Sequence, residues 1–268
     1  MNNNPFLSKI FTSIWIKHFK NDKKVYNFNF INKITFVKVG FLPLHFNVGK
    51  NITNGMAYSF SNSKDFKKKV CLIHDVPTYF NLSSDEKPPE LKTYKVKQYK
   101  GFLTDLSNHE TFTDFFNKQY KSSSRYKFRK KTQRLNSCFD VNYSIFYENI
   151  EKEEYDLIMR RFKELITNRF NKLGKDNDVL SVCDYYEELF YPMILNKEAL
   201  IITVNIEGEQ VGGALCFLGK ETLYYAITTF DSSYFKFNLG HEIIMNLLNW
   251  CYENGIKTFD FSKCEYEY

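Results

Sequence analysis

The stretch Ala199-Leu-Ile-Ile-Thr-Val-Asn-Ile206, Glu207-Gly-Glu-Gln210, Val211-Gly-Gly-Ala-Leu-Cys-Phe-Leu218, Gly219-Lys-Glu221, Thr222-Leu-Tyr-Tyr-Ala-Ile-Thr-Thr-Phe230 decides the fold. Three runs of β-branched, aromatic and small residues are separated by two short turns, the pattern of an antiparallel meander. Ser232–Gly240 then reads as a loop opening a helix with apolar positions Ile243, Ile244, Leu247, Leu248 and Cys251. Gly255 ends that helix, and Ile256–Phe261 forms a fourth strand. This order sets a helix N-terminus beside a strand end. The unpaired N–H groups of a helix's first turn, with its dipole, make an anion site without any special side chain. In the loop, Lys236 adds a point charge, Asn238 suits a left-handed turn, and Gly240 lets the backbone approach a ligand.

Upstream, residues 118–134 carry eight cations and no acid: Lys118, Lys121, Arg125, Lys127, Arg129, Lys130, Lys131 and Arg134. Such a run is either a solvated helix face or a rim that attracts an anionic substrate, and Tyr120, Tyr126 and Phe128 interleave with it. Val141–Phe146 reads as a strand. A long helix follows, capped by Asn149, with Tyr155, Ile158, Met159, Phe162, Leu165, Ile166 and Phe170 on one stripe and Gly174 as its stop. A further helix covers Cys183–Asn196, with Pro192 set to kink it.

Nearer the N-terminus, Asn4 and Pro5 open an amphipathic helix carrying Phe6, Ile10, Ile14, Ile16 and Phe19. Residues 25–82 are strand-rich, with strands expected at Val25–Phe30, Ile34–Leu44 and Val70–Ile73. The polar, proline-bearing stretch Asn81–Glu90 is a loop, Lys92–Tyr99 a short strand, and a helix starts near Asn108–Thr111.

Composition sets the outer limits. The net charge of +6 favours anionic partners, but only where it is clustered, as it is at 118–134. Six cysteines without a C-x-x-C pair and five histidines without metal-ligand spacing point away from a disulfide scaffold and a structural zinc, so no metal is expected. The sequence has no apolar run of about 20 residues, the length that spans a bilayer. A cytoplasmic location is the expectation.

Taken together, Val204-Asn-Ile-Glu-Gly-Glu-Gln-Val-Gly-Gly-Ala214, Leu223-Tyr-Tyr-Ala-Ile-Thr-Thr-Phe-Asp231, Leu239-Gly240 and Gly255-Ile-Lys-Thr-Phe-Asp-Phe-Ser262 resemble the GNAT acetyltransferase domain of Fem-like and CelD-like bacterial proteins. The basic segment Ser124-Arg-Tyr-Lys-Phe-Arg-Lys130 matches a basic helix upstream of that domain. The resemblance implies an α/β (α+β) fold, a mixed sheet flanked by helices, spanning 116–268. It also implies a degenerate GNAT-like N-terminal half, 1–115, for acceptor recognition. The implied reaction is acyl transfer, acetyl from acetyl-CoA, to an amine of a small molecule or cell-envelope sugar precursor. Two alternatives stand beside it: a Fem-type aminoacyl-tRNA-dependent transferase, and an inactive GNAT fold that binds nucleic acid through 118–134 or a partner protein.

The same resemblance implies a site. The pyrophosphate of acyl-CoA lies on the N–H groups of Lys236, Phe237, Asn238, Leu239, Gly240 and His241, and its pantetheine pairs with the strand at Ile227, Thr228 and Thr229. Asp260, Tyr266 and Asp231 are the candidate acid/base groups, and Arg125 and Arg129 candidate substrate contacts. Two departures from the family pattern follow. Of the Arg/Gln-x-x-Gly-x-Gly/Ala loop only the last glycine is kept, in Gly240. The family sheet also adds strands after the one ending near Phe261, whereas seven residues remain here. Either the sequence is therefore a piece of a longer one, or the last strands come from elsewhere.

Overall fold

The computed structural model describes residues 4–20, 24–38, 40–50, 52, 55–80, 82, 87–174 and 178–263. The chain divides into two compact units, Met1–Gly101 with Lys263–Tyr268, and Phe102–Ser262.

In the first unit a single turn, Pro5–Leu7, precedes α1 (Lys9–Phe19). Asn4 Oδ1 accepts from the Phe6 N–H at 3.0 Å, and Ser8 Oγ accepts from the Phe11 N–H at 3.1 Å. Two caps in succession restart the helix at Ser8, which turns the buried stripe onto Phe11 and Trp15 instead of the expected Ile10 and Ile14. The strands are β1 (Val25–Asn27), β2 (Ile31–Asn32), β3 (Thr35–Lys38), β4 (Leu44–Asn47), β5 (Ser59–Phe60) and β6 (Val70–Leu72). They form a four-stranded sheet, β1-β3-β4-β6, and a two-stranded one, β2-β5.

Two expectations are corrected here. Ile34–Leu44 is not one strand but an antiparallel hairpin, Lys38 facing His45. It turns where Gly40 takes φ 57° and Pro43 withholds an N–H. Lys92–Tyr99 has the alternation of a strand but takes no regular structure. Its apolar residues Tyr94 and Val96 are 83% and 81% exposed, so neither face has a core to pair against.

The second unit runs β7 (Gly101–Asp105), α2 (Phe112–Gln119), α3 (Ser122–Cys138), β8 (Val141–Phe146), α4 (Lys152–Leu173), α5 (Asp178–Ser181), α6 (Cys183–Leu195), β9 (Ala199–Ile206), β10 (Glu209–Leu218), β11 (Thr222–Phe230), α7 (Leu239–Glu253) and β12 (Thr258–Lys263). Six strands make one mixed sheet in the order β7-β12-β11-β10-β9-β8. The meander β9-β10-β11 is antiparallel, as its turns dictate, and β12 returns parallel to β11 after the α7 crossover. The strand beyond β12 comes from earlier in the chain: it is β7.

Helices cover both faces, which is why β9 and β10 are apolar at nearly every position rather than alternating. On one face Leu200, Ile202 and Val204 join Leu247 and Leu248 of α7, Phe116 of α2 and Leu135 of α3. On the other, Phe217 packs against Phe190 of α6 with ring centroids 4.8 Å apart. The long helix α4 begins at Lys152 with Glu151 as its N-cap, three residues before Tyr155 and later than the expected cap at Asn149. Gly174, in the left-handed conformation at φ 60°, ends it as expected. Pro192 lies inside α6.

Candidate functional site

The parallel pairing of β11 and β12 is short. Thr222, Leu223 and Tyr224 face Thr258, Phe259 and Asp260, and there the register ends. Each strand bends at that point for its own reason. In β11, Tyr225 faces Cys216 and Ile227 faces Leu215, so Ala226 is the extra residue of a β-bulge. A bulge bends its strand and sharpens the local twist. In β12, Ser262 takes φ 68°, its N–H donates to Asp260 Oδ1 at 2.7 Å, and its hydroxyl donates to the Tyr225 carbonyl at 2.8 Å. The two strands therefore open into a wedge whose apex is held by Asp260 and Ser262, both buried. Beyond the apex, Ala226–Phe230 has no parallel partner in β12.

The wall of the wedge carries the expected strand residues. Thr228 Oγ1 donates to the Gly213 carbonyl at 3.2 Å. Ile227 and Thr229 are buried. At its far end Asp231 caps a 3₁₀ turn, Ser232–Phe237, by accepting from the Ser233 N–H at 2.8 Å. That hydrogen bond, with Lys172 and Arg161 nearby, holds the Asp231 carboxyl below the usual range.

Asn238 then adopts the left-handed conformation, φ 62° and ψ 43°, and α7 begins. Its carbonyl accepts from the N–H groups of His241 and Glu242 at 2.9 and 3.3 Å, and its own N–H donates to Phe235. Of the six amides expected to face an anion, those of Asn238 and His241 are thus engaged internally. The N–H groups of Leu239 and Gly240 have no partner among the described residues, and the exposed Lys236 stands two residues before the helix. Gly240 has a second reason to be glycine: a Cβ there would lie 3.1 Å from the ring of Phe230. That ring carries the guanidinium of Arg169 on it at 4.7 Å. A stack of Arg169, Phe230 and Gly240 thus lies against the helix head.

The remaining expected residues lie elsewhere. Arg125 donates to the carbonyls of Asn117 and Tyr120 at 2.5 and 2.7 Å, satisfying the end of α2. Arg129 stacks on Phe116 at 5.8 Å. His241 packs edge-on against Phe128, ring centroids 4.7 Å apart, so its imidazole faces α3. Burial, helped by Lys131, lowers its pKa and keeps it neutral. Tyr266 lies outside the described residues. Most of the cations of α3 are exposed, whereas Phe128, Thr132 and Leu135 hold its inner stripe.

Two polar clusters were not visible in the sequence. Glu242, 3% exposed in the first turn of α7, accepts from Thr132 Oγ1 at 2.5 Å, and the Tyr143 phenol faces the same carboxylate. Burial raises the pKa of Glu242 despite these contacts. In the first unit, Asp75 has no exposed side-chain surface and takes φ 65°. Its Oδ1 accepts from the Tyr99 hydroxyl at 2.7 Å and from Lys263 Nζ at 3.1 Å, and the ammonium lies 4.7 Å above the Tyr99 ring. A positive φ at a buried aspartate and a lysine 188 residues away leave no local pattern to read. Among the described residues no group of acids, histidines and cysteines is arranged to hold a metal ion.

Residues 122–268, from the first turn of α3 onward, match the acetyltransferase (GNAT) domain family. A search of curated proteins finds no matching sequence. Among solved structures, FemX is similar over 100% of this chain and 85% of its own, with a TM-score of 0.61 at 12% identity. A conserved protein of unknown function from Bacteroides thetaiotaomicron VPI-5482 is similar over 97% of this chain and 82% of its own, with a TM-score of 0.59 at 12% identity. At that identity the likeness is one of fold.

Proposed function

Because the chain belongs to the acetyltransferase (GNAT) domain family, and is therefore an acyltransferase, we propose that it moves an acetyl group from acetyl-CoA to an amine. The observation that carries this reading is the wedge between β11 and β12 beside the head of α7. Main-chain groups of 226–230, which have no parallel partner among the described residues, can pair with the amides of a pantetheine arm. The free N–H groups of Leu239 and Gly240, with the positive end of the helix and Lys236, can take a phosphate.

The reaction needs little more. The amine nitrogen attacks the thioester carbon, the C–N bond forms, the C–S bond breaks and the thiolate leaves with the electron pair. A backbone N–H at the wedge that meets the developing oxyanion lowers the barrier by about 3 kcal/mol. A base must take the amine proton. Of the described candidates, Asp231 is held in its ionised form by the Ser233 amide and is a weak acceptor. Asp260, at the apex, is the proposed one. The acceptor is proposed to be a small-molecule amine or an envelope sugar precursor, recognised by the N-terminal half. The likeness to FemX, which extends over the whole chain, supports a contribution from that half.

One observation favours a second donor. Of the glycine pattern of the family's phosphate loop only Gly240 is kept, with the Phe230 ring against it, and α3 presents its cations to solvent. An aminoacyl-tRNA donor makes use of the second feature and is indifferent to the first. The two are separated by ligand-dependent melting. Millimolar acetyl-CoA is expected to raise the melting temperature of the full chain by several degrees, since 100-fold saturation stabilises by about 2.7 kcal/mol. No shift with acetyl-CoA, together with tRNA binding that weakens steeply with salt, selects the aminoacyl donor.

A further inference from the structure

The hairpin joining β3 to β4 carries an unusual tip. Turns are ordinarily built from Gly, Asn, Asp and Pro. Here Gly40 and Pro43 bracket Phe41 and Leu42, and Phe41 is fully exposed while Leu42 is 66% exposed. Neither side chain contributes to a core. The apolar surface does not stop at the tip. The Pro43 carbonyl accepts from the Val70 N–H at 2.8 Å, which fixes the edge strand β6 beside the hairpin. Val70 and Leu72, two apart and so on one face of β6, are 52% and 41% exposed.

The charges around this ridge are mainly positive. Lys67 and Lys68 are exposed in the turn that enters β6, Lys69 follows them, and Lys38 stands at the root of the hairpin. Asp65, the acid of that turn, is already satisfied: its two oxygens accept from the N–H groups of Asn29 and Phe30 at 2.7 and 2.9 Å. The patch is therefore a projecting pair of large apolar side chains with lysines behind it.

We propose that this hairpin is a docking device for an anionic lipid surface. Phe41 and Leu42 enter the boundary between headgroups and acyl chains, and Lys67 and Lys68 meet the headgroup phosphates. A projecting tip with lysine-rich flanks suits a broad negative surface that yields to the side chains, whereas a protein partner would need a cavity and a specific set of acids to match it. Apolar insertion and headgroup attraction add, and each alone gives only marginal binding. This inference is independent of which donor the wedge takes.

The test uses the full chain and vesicles of phosphatidylcholine, alone or with about one third phosphatidylglycerol, in a flotation assay at low salt. Wild type is expected to float with the anionic vesicles and not with the neutral ones. The double variants Phe41→Ser/Leu42→Ser and Lys67→Glu/Lys68→Glu are each expected to lose at least about tenfold in binding, with melting temperatures unchanged because all four side chains are exposed. As a milder variant, Phe41→Trp is expected to retain binding and to show a blue shift of emission, relative to wild type, only with anionic vesicles. Failure of wild type to float, or wild-type binding by Phe41→Ser/Leu42→Ser, overturns the proposal. So does a change in oligomeric state of the tip variant without any lipid effect, which would assign the tip to a second copy of the chain.

Discussion

A methyl group placed on Gly240 would sit 3.1 Å from the edge of the Phe230 ring, whereas one placed on Gly213 would run into the main-chain carbonyl of Ile202. A ring can shift by a few tenths of an ångström and a strand carbonyl in mid-sheet cannot. Gly240→Ala is therefore expected to cost about 1 kcal/mol, recovered when Phe230→Leu is added, while Gly213→Ala costs about 3 kcal/mol with no such rescue. Urea denaturation of the three variants and the double variant checks both. If Phe230 obstructs the helix head, Phe230→Leu should also bind acetyl-CoA more tightly. Glu242 makes a separate prediction. Burial raises its pKa in the folded state, so its contribution to stability is fully present below the ordinary carboxylate range and is lost as pH rises through the raised value. Glu242→Gln, which keeps an acceptor for Thr132 but does not titrate, should therefore gain on wild type as pH rises from the ordinary carboxylate range, about 4, through the raised value. Denaturation midpoints that run parallel over that range would remove the buried-carboxylate account.

At the scale of elements, the apex of the wedge is the test piece. Asp260→Asn keeps an oxygen for the Ser262 N–H, so the bend in β12 should persist and the melting temperature hold. If Asp260 takes the amine proton, turnover falls by about 10²-fold or more. Asp260→Ala instead leaves a buried N–H unpaired and should cost about 1–3 kcal/mol as well. A full-activity Asp260→Asn would leave the residue a purely architectural part of the wedge. How much of this could be read from residues alone follows from where the information lies. The turns at Glu207-Gly208 and Gly219–Glu221 are local, so the meander was legible to within two residues, and Asn238 declared its left-handed turn. The bulge at Ala226 was not legible, because it is a mismatch of register with β10 and has no signature in β11 itself. Lys92–Tyr99 misled for the converse reason: its alternation was real, but a strand also needs a neighbour. That Arg125 also closes the end of α2 was not legible, because a charge run says nothing about which carbonyls lie within reach.

Among the described residues of the whole molecule there is one long stretch, 91–100, with neither regular structure nor cover over most of its side chains. Lys92, Lys95, Lys97 and Lys100 lie in it. Brief trypsin treatment should cut there before it cuts α3, which is richer in cations but helical, and mass spectrometry of the first fragments will show the order. First cuts at Lys127–Lys131 would mean that the helix opens more readily than its buried stripe at Phe128, Thr132 and Leu135 implies. The placement of β7 has a consequence of a different kind, for the making of the protein. This strand leaves the ribosome well before β12, the neighbour that covers it, which is encoded roughly 150 residues later. At ordinary rates of synthesis that interval is on the order of ten to thirty seconds. For that time Phe102 and Leu103 belong to an edge without a sheet, and a nascent-chain chaperone or an early misfolded pairing has its best opportunity there, before the wedge exists.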